Sequence, residues 1–167
     1  MSNPFDDVYS ALWSLPLLHP DFEELVRPGN RIRFDGPNRD PVKDAVATSD
    51  LPELTLFTEG LSAMLCNTSS TSKVVRRYTW ALASGDLRLA TLHAVEWALF
   101  VSMLRWRDVL TALIYEGSHF VKRADFTSVV EGRSTSEQNR NIAGWSALWR
   151  CEVEMHFPTN KLLEELT

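Results

Sequence analysis

Hydrophobic and polar residues alternate with a period of two from Trp145 to Phe157. Trp145, Ala147, Trp149, Cys151, Val153, Met155 and Phe157 fall on one face and Ser146, Leu148, Arg150, Glu152, Glu154 and His156 on the other. At about 3.3 Å per residue the pattern predicts a strand of roughly 40 Å, about twice the usual length. A strip rich in Trp, Met and Phe on that scale needs either a curved sheet wrapped on a helix or a neighbouring copy to pair with. Similar runs predict strands at Leu54 to Leu65, where Gly60 marks a bulge or bend, at Lys73 to Ala83 and at His119 to Val130. In the second of these Val74, Tyr78, Trp80 and Leu82 share one face and Val75, Arg77, Thr79 and Ala81 the other. The polar stretches Cys66 to Ser72 and Glu131 to Asn141 read as hairpin tips.

The period changes to that of a helix in two places. Phe5, Val8, Tyr9, Leu12 and Trp13 recur on one side of a predicted helix that starts with Asn3 as N-cap and Pro4 at the first position and ends near Leu15. Asp21 to Val26 predicts another turn or two. A principal helix is predicted from Leu87 to about Ile114 with two apolar seams. Ala90, Ala94, Trp97, Val101 and Leu104 form one, and Leu92, Leu99, Met103, Trp106 and Leu110 the other. A helix apolar on two sides must be covered on two sides. Glu116-Gly117 closes it, and Thr159 to Leu166 predicts a short terminal helix. Helix, two strands, helix, two strands is the order of an α+β fold: a single, mostly antiparallel sheet of about four strands, with the long helix and the N-terminal helix on one face.

Residues 1–167 are expected to form one domain with three less regular parts. Arg27 to Pro52, with Pro28, Pro37, Pro41, Pro52, Gly29 and Gly36, is a long loop or arm in which only Ile32 and Phe34 look strand-like. Residues 131–142 are a flexible hairpin tip, and residues 158–167 a C-terminal tail.

Composition narrows the function classes. A net charge of -5 argues against a dedicated nucleic-acid binder, which carries a basic footprint. Six Trp in 167 residues favours aromatic burial, in the core or between subunits. Cys66 and Cys151 have no CxxC spacing, and Cys151 reads as a small inward-facing apolar filler. The apolar stretch from Leu87 to Tyr115 is interrupted by charges, so no membrane span and no membrane partner are expected. His19, His93, His119 and His156 lack metal-ligand spacing, and no phosphate-binding glycine loop is present. Asp6-Asp7 and Glu23-Glu24 are adjacent and diverge on a helix, unlike a glycosidase dyad. Arg76-Arg77 and Lys122-Arg123 present one cation to each sheet face, and an inward Arg needs a partner such as Glu152 or Glu154. No catalytic residue, no metal ligand and no cofactor site is therefore expected, and the chain does not read as an enzyme. The enzyme-like alternative is a small ligand-binding α+β domain with a pocket holding His93, Glu96 and Tyr78.

The run Gly144-Trp145-Ser146-Ala147-Leu148-Trp149, continuing as Cys151-Glu152-Val153-Glu154-Met155-His156-Phe157, resembles the last strand of tail terminator (tail completion) proteins of long-tailed bacteriophages. The preceding hairpin, long helix after Gly85-Asp86 and second hairpin are similar to that family's plan, so the resemblance covers roughly residues 50–157. It implies a structural virion protein, made in the host cytoplasm, that forms a homo-oligomeric, hexameric ring at the end of the tail tube. Such a ring stops tube polymerisation and gives the head-completion or neck protein its surface. Its partners would be its own copies, the tail tube protein and the neck, with DNA only as passing cargo. Another neck or baseplate connector of the same particle is the alternative within that class. Under this reading Trp80, Trp97, Trp145, Trp149, Met155 and Phe157 are core or interface residues, and Arg31, Arg33, Arg39, Arg133 and Arg140 are inter-subunit loop candidates.

Overall fold

The protein is described by a computed structural model covering residues 3–33, 52–65, 70–84, 89–134 and 144–166. Asn3 starts the first helix, α1 (Pro4–Ser14): its side-chain oxygen accepts the Phe5 N–H at 2.9 Å, and Asp6 and Asp7 lie in the first turn, where the helix dipole favours acids. Leu15–Leu18 continues as one 3-10 turn containing Pro16, then comes α2 (Phe22–Leu25). The strands are β1 (Arg31–Arg33), β2 (Glu53–Leu65) and β3 (Thr71–Ala83). After α3 (Leu89–Met103) and α4 (Trp106–Leu110) come β4 (Ile114–Tyr115), β5 (Ser118–His119), β6 (Val121–Ser134) and β7 (Gly144–Pro158), and α5 (Thr159–Glu164) follows.

The main sheet has the order β1-β2-β3-β7-β6. The class is α+β, and every pairing is antiparallel except β1 with β2, where Arg31 pairs with Leu54 and Arg33 with Leu56 in parallel. That fifth strand is one more than the sequence predicts. Its pairing joins residues separated by a long connection, which local alternation cannot reveal. β7 sits between β3 and β6, hydrogen-bonded on both sides, and its apolar face is long because Ala147, Cys151, Val153, Met155 and Phe157 are all buried in the core. The register places Leu56, Trp80 and Trp149 in one row and Tyr78 beside Cys151 in the next. At Gly60, with φ 94°, the β2–β3 register shifts, as the bulge expected there requires.

Helices cover one face. Val8, Leu12, Leu15 and Phe22 from the N-terminal segment and Leu92, Val95, Leu99, Met103 and Leu110 from α3 and α4 pack with Leu56, Tyr78, Trp80, Cys151, Val153 and Met155. The Tyr9 hydroxyl donates to the Leu56 carbonyl, stitching α1 to the sheet. Cys151 is a fully buried free thiol whose ionisation burial pushes up. Cys66 lies outside the described residues.

The principal helix is shorter than its pattern predicts. It ends at Met103 instead of continuing to Ile114. Ser102 Oγ donates back to Ala98 O at 2.9 Å and also reaches Pro16 O at 3.2 Å, tying the last turn to the N-terminal segment. The Arg105 N–H then bonds Ser102 O, a tightened turn, and Arg105 pairs with Asp108 at 2.8 Å as α4 starts. Glu116-Gly117 is a hairpin turn rather than a helix stop. Both residues have positive φ, 48° and 76°, as the two-residue turn joining β4 to β5 needs.

Candidate functional site

The apolar stripe of α3 that the fold leaves uncovered is the first candidate. Trp97, Phe100, Val101 and Leu104 follow i, i+3, i+4, i+7 spacing and so share one side of the helix. Trp97 is 62% exposed, Leu104 67% and Phe100 40%, and Val101 is half-buried. The Trp97 and Phe100 rings lie 5.8 Å apart, tilted by 39°. The second seam faces inward: Leu92, Leu99, Met103 and Leu110 are buried, and Trp106 packs partly against the core. Among the described residues, α3 is thus apolar on both sides and covered on one. Phe100 was not assigned to a seam from the sequence, although its place three residues after Trp97 carries the signal.

The other predicted core or interface residues divide between two environments. Trp80, Met155 and Phe157 are buried, while Trp145 and Trp149 are half-buried against the core. Of the arginines expected in inter-subunit loops, Arg31 begins β1, with its guanidinium 5.8 Å over the Trp13 ring and 3.7 Å from Glu23 and its side chain 12% exposed. The backbones of Arg33 and Arg133 belong to β1 and β6, and Arg39 and Arg140 lie outside the described residues.

The sheet face away from the helices is polar and charge-balanced. Arg77 pairs with Glu152 at 2.6 Å and stands 3.8 Å from Glu59, which is also 3.4 Å from Arg150 and accepts the Thr79 hydroxyl at 2.5 Å. The hydrogen bond to Glu152 holds the Arg77 guanidinium above its usual pKa. Arg123 pairs with Asp125 at 2.7 Å, Lys122 donates to the His119 carbonyl, and Arg76 sits 4.7 Å over the Phe5 ring on the helix side. Each cation of the two doublets has a partner within the chain.

Lys73 at 2.9 Å and His156 at 2.7 Å flank Glu154. The Lys73 hydrogen bond, opposed by partial burial and helped by His156, holds its carboxyl below the ordinary value of 4.5. A carboxylate depressed in the folded state binds fewer protons there than when unfolded. Its stabilisation is therefore complete above about pH 4.5 and is lost as the pH falls through the folded-state value. Glu154→Gln should flatten the acid limb of a urea-melt stability profile while changing stability at pH 7 by less than about 1 kcal/mol, as befits a partly exposed pair. An unchanged acid limb would show that the pair has no linkage to folding.

A cavity of about 670 Å³ lies between the start of α1, the β4–β5 hairpin and α5, lined by Phe5, Val74, Tyr115, Phe157, Leu162 and Glu165 among others. The Tyr115 hydroxyl donates to Glu165, which with burial pushes the phenol up to about 12. His93, Glu96 and Tyr78, the residues expected around a ligand pocket, do not line it. The Tyr78 hydroxyl points to the Phe5 carbonyl at 3.5 Å. His93 and Glu96 instead meet Glu131 of β6.

No protein-family model matches this chain, and no curated protein is detectably similar to it in sequence. No helix among the described residues is long and apolar enough to cross a membrane.

Proposed function

We propose that this chain is a structural assembly protein that works as a tail terminator: a homo-oligomeric, hexameric ring at the end of a phage tail tube that stops tube growth and receives the head or neck. The observation that supports it is the uncovered α3 stripe of Trp97, Phe100 and Leu104 on a helix whose other side is already buried. Large exposed aromatic residues on a rigid helix favour contact with another protein. If complete burial of such side chains removes about 150–250 Å² each, the exposed fractions offer on the order of 300–400 Å². A stable interface uses about 800 Å² per partner, so the stripe can supply its centre and flanking polar surface must supply the rest. Ring closure needs a second, different patch on the next copy. Val129 and Leu148, exposed on β6 and β7, offer apolar contacts away from α3.

The intrachain contacts of the basic doublets Arg76-Arg77 and Lys122-Arg123 fit a protein past which DNA slides without sticking. Another connector of the neck or baseplate would use the same stripe, and position in a reconstructed particle separates the two readings. The test is electron microscopy of phage tails assembled without this protein, alongside light scattering of the purified chain. Overlong tubes and a ring-sized species are expected. Tubes of normal length together with a strictly monomeric protein at high concentration would overturn the proposal.

A further inference from the structure

Among the described residues one group brings three metal-ligating side chains together, at the end of the sheet remote from the cavity. His93 and Glu96 are one helical turn apart on α3, and Glu131 comes from the far end of β6. Their ligand atoms all lie within 4.8 Å of one another. We propose that His93, Glu96 and Glu131 bind one first-row divalent cation of the zinc class, clamping α3 to β6, independently of whether the chain caps a tail tube.

Three observations carry the inference. The first is the spacing. His93 Nε2 and Glu131 Oε1 are 3.4 Å apart, long for a hydrogen bond. It matches the roughly 3.3 Å between two ligands on a tetrahedral ion with bonds of about 2.0–2.1 Å.

The second is the burial of Glu96. This carboxylate is only 8% exposed, and among the described residues the Trp149 indole N–H donates to its Oε1 at 2.6 Å. A buried carboxylate beside a second carboxylate is unfavourable unless a proton or a cation lies between them.

The third is the outer support. An N–H donor on a liganding carboxylate fixes its orientation, as partners behind metal ligands do, and Trp149 fills that place from the central strand β7. One imidazole and two carboxylates suit Zn²⁺ or Mn²⁺. Mg²⁺ prefers all-oxygen octahedral sites and would bind poorly here.

The test is a calorimetric titration of the chelator-treated full chain with ZnCl2 and, separately, with MgCl2. One equivalent of Zn²⁺ should bind with micromolar or tighter affinity, raising the melting temperature, while Mg²⁺ should give no heat of binding. His93→Ala and Glu131→Gln change exposed side chains and should leave the far-UV spectrum intact while removing the Zn²⁺ heat. Trp149→Phe keeps an aromatic ring, smaller than the indole, but lacks the donor, and should weaken Zn²⁺ by about tenfold or more. X-ray absorption at the zinc edge should show one imidazole in an oxygen and nitrogen shell. Absence of saturable binding at millimolar Zn²⁺ would overturn the proposal and leave a proton shared between Glu96 and Glu131. Binding that survives both His93→Ala and Glu131→Gln would overturn it equally, since the ion would then sit elsewhere.

Discussion

Trp97→Glu combined with Leu104→Glu should convert the proposed ring to monomer while leaving the melting temperature nearly unchanged. Both side chains are mostly exposed in the isolated chain, so the fold loses little when they become polar. Surface substitutions of this kind usually shift stability by less than about 0.5 kcal/mol. In the assembly the same positions would place two buried carboxylates against apolar partners, at a cost of several kcal/mol per interface. Because each copy in a ring takes part in two interfaces, that cost recurs at every junction. Light scattering reads the assembly and calorimetry the fold. Loss of folding together with loss of assembly would show that the stripe belongs to the core, and a ring that persists would remove the stripe from the interface.

Trp80→Ala should be the most damaging substitution in the monomer. Trp80 is 0% exposed, in register with Leu56 on one side and Trp149 on the other, and its ring stacks on Phe126 with centroids 5.9 Å apart. Truncating a buried aromatic to Ala costs about 3–5 kcal/mol through lost burial and the cavity left behind. Against a total stability of about 5–15 kcal/mol, that is enough to unfold a substantial population. Trp80→Phe is expected to cost much less. The Trp80 indole N–H has no hydrogen-bond partner among the described residues, so its removal relieves an unsatisfied buried donor worth about 1–3 kcal/mol while some packing is lost. Denaturant melts of the two variants provide the comparison. Equal losses would mean that the indole itself, and not buried aromatic volume, decides the site.

Much of this architecture is legible in the chain because it rests on local periodicity. The alternation from Trp145 to Phe157 becomes β7, Asn3 with Pro4 becomes the start of α1, and Gly60 becomes a bulge with positive φ. The features that escape are set by partners distant in sequence. Nothing near Ser102 announces that its hydroxyl will bond Pro16 and help end α3, because the apolar pattern runs on past Leu104 to Leu110. The parallel pairing of Arg31 with Leu54 is equally invisible, since a three-residue strand carries almost no periodic signal. His93 and Glu96 stand out as polar groups on an apolar helix. Glu131 becomes their neighbour only when β6 runs back alongside β7. The stacking of the Arg31 guanidinium over the Trp13 ring likewise joins two segments that no local pattern links.

The position of β7 between β3 and β6 also governs how the molecule can be made. β3 finishes at Ala83 and β6 at Ser134, yet the strand that joins them ends at Pro158. At about 5–20 residues per second, a nascent chain holds the Tyr78 and Trp80 side of β3 open for several seconds before its central partner leaves the ribosome. Interrupted translation would therefore yield a β2–β3 hairpin and an unpaired β6 with sticky inner surfaces, and the cell would have to shield or destroy every such fragment.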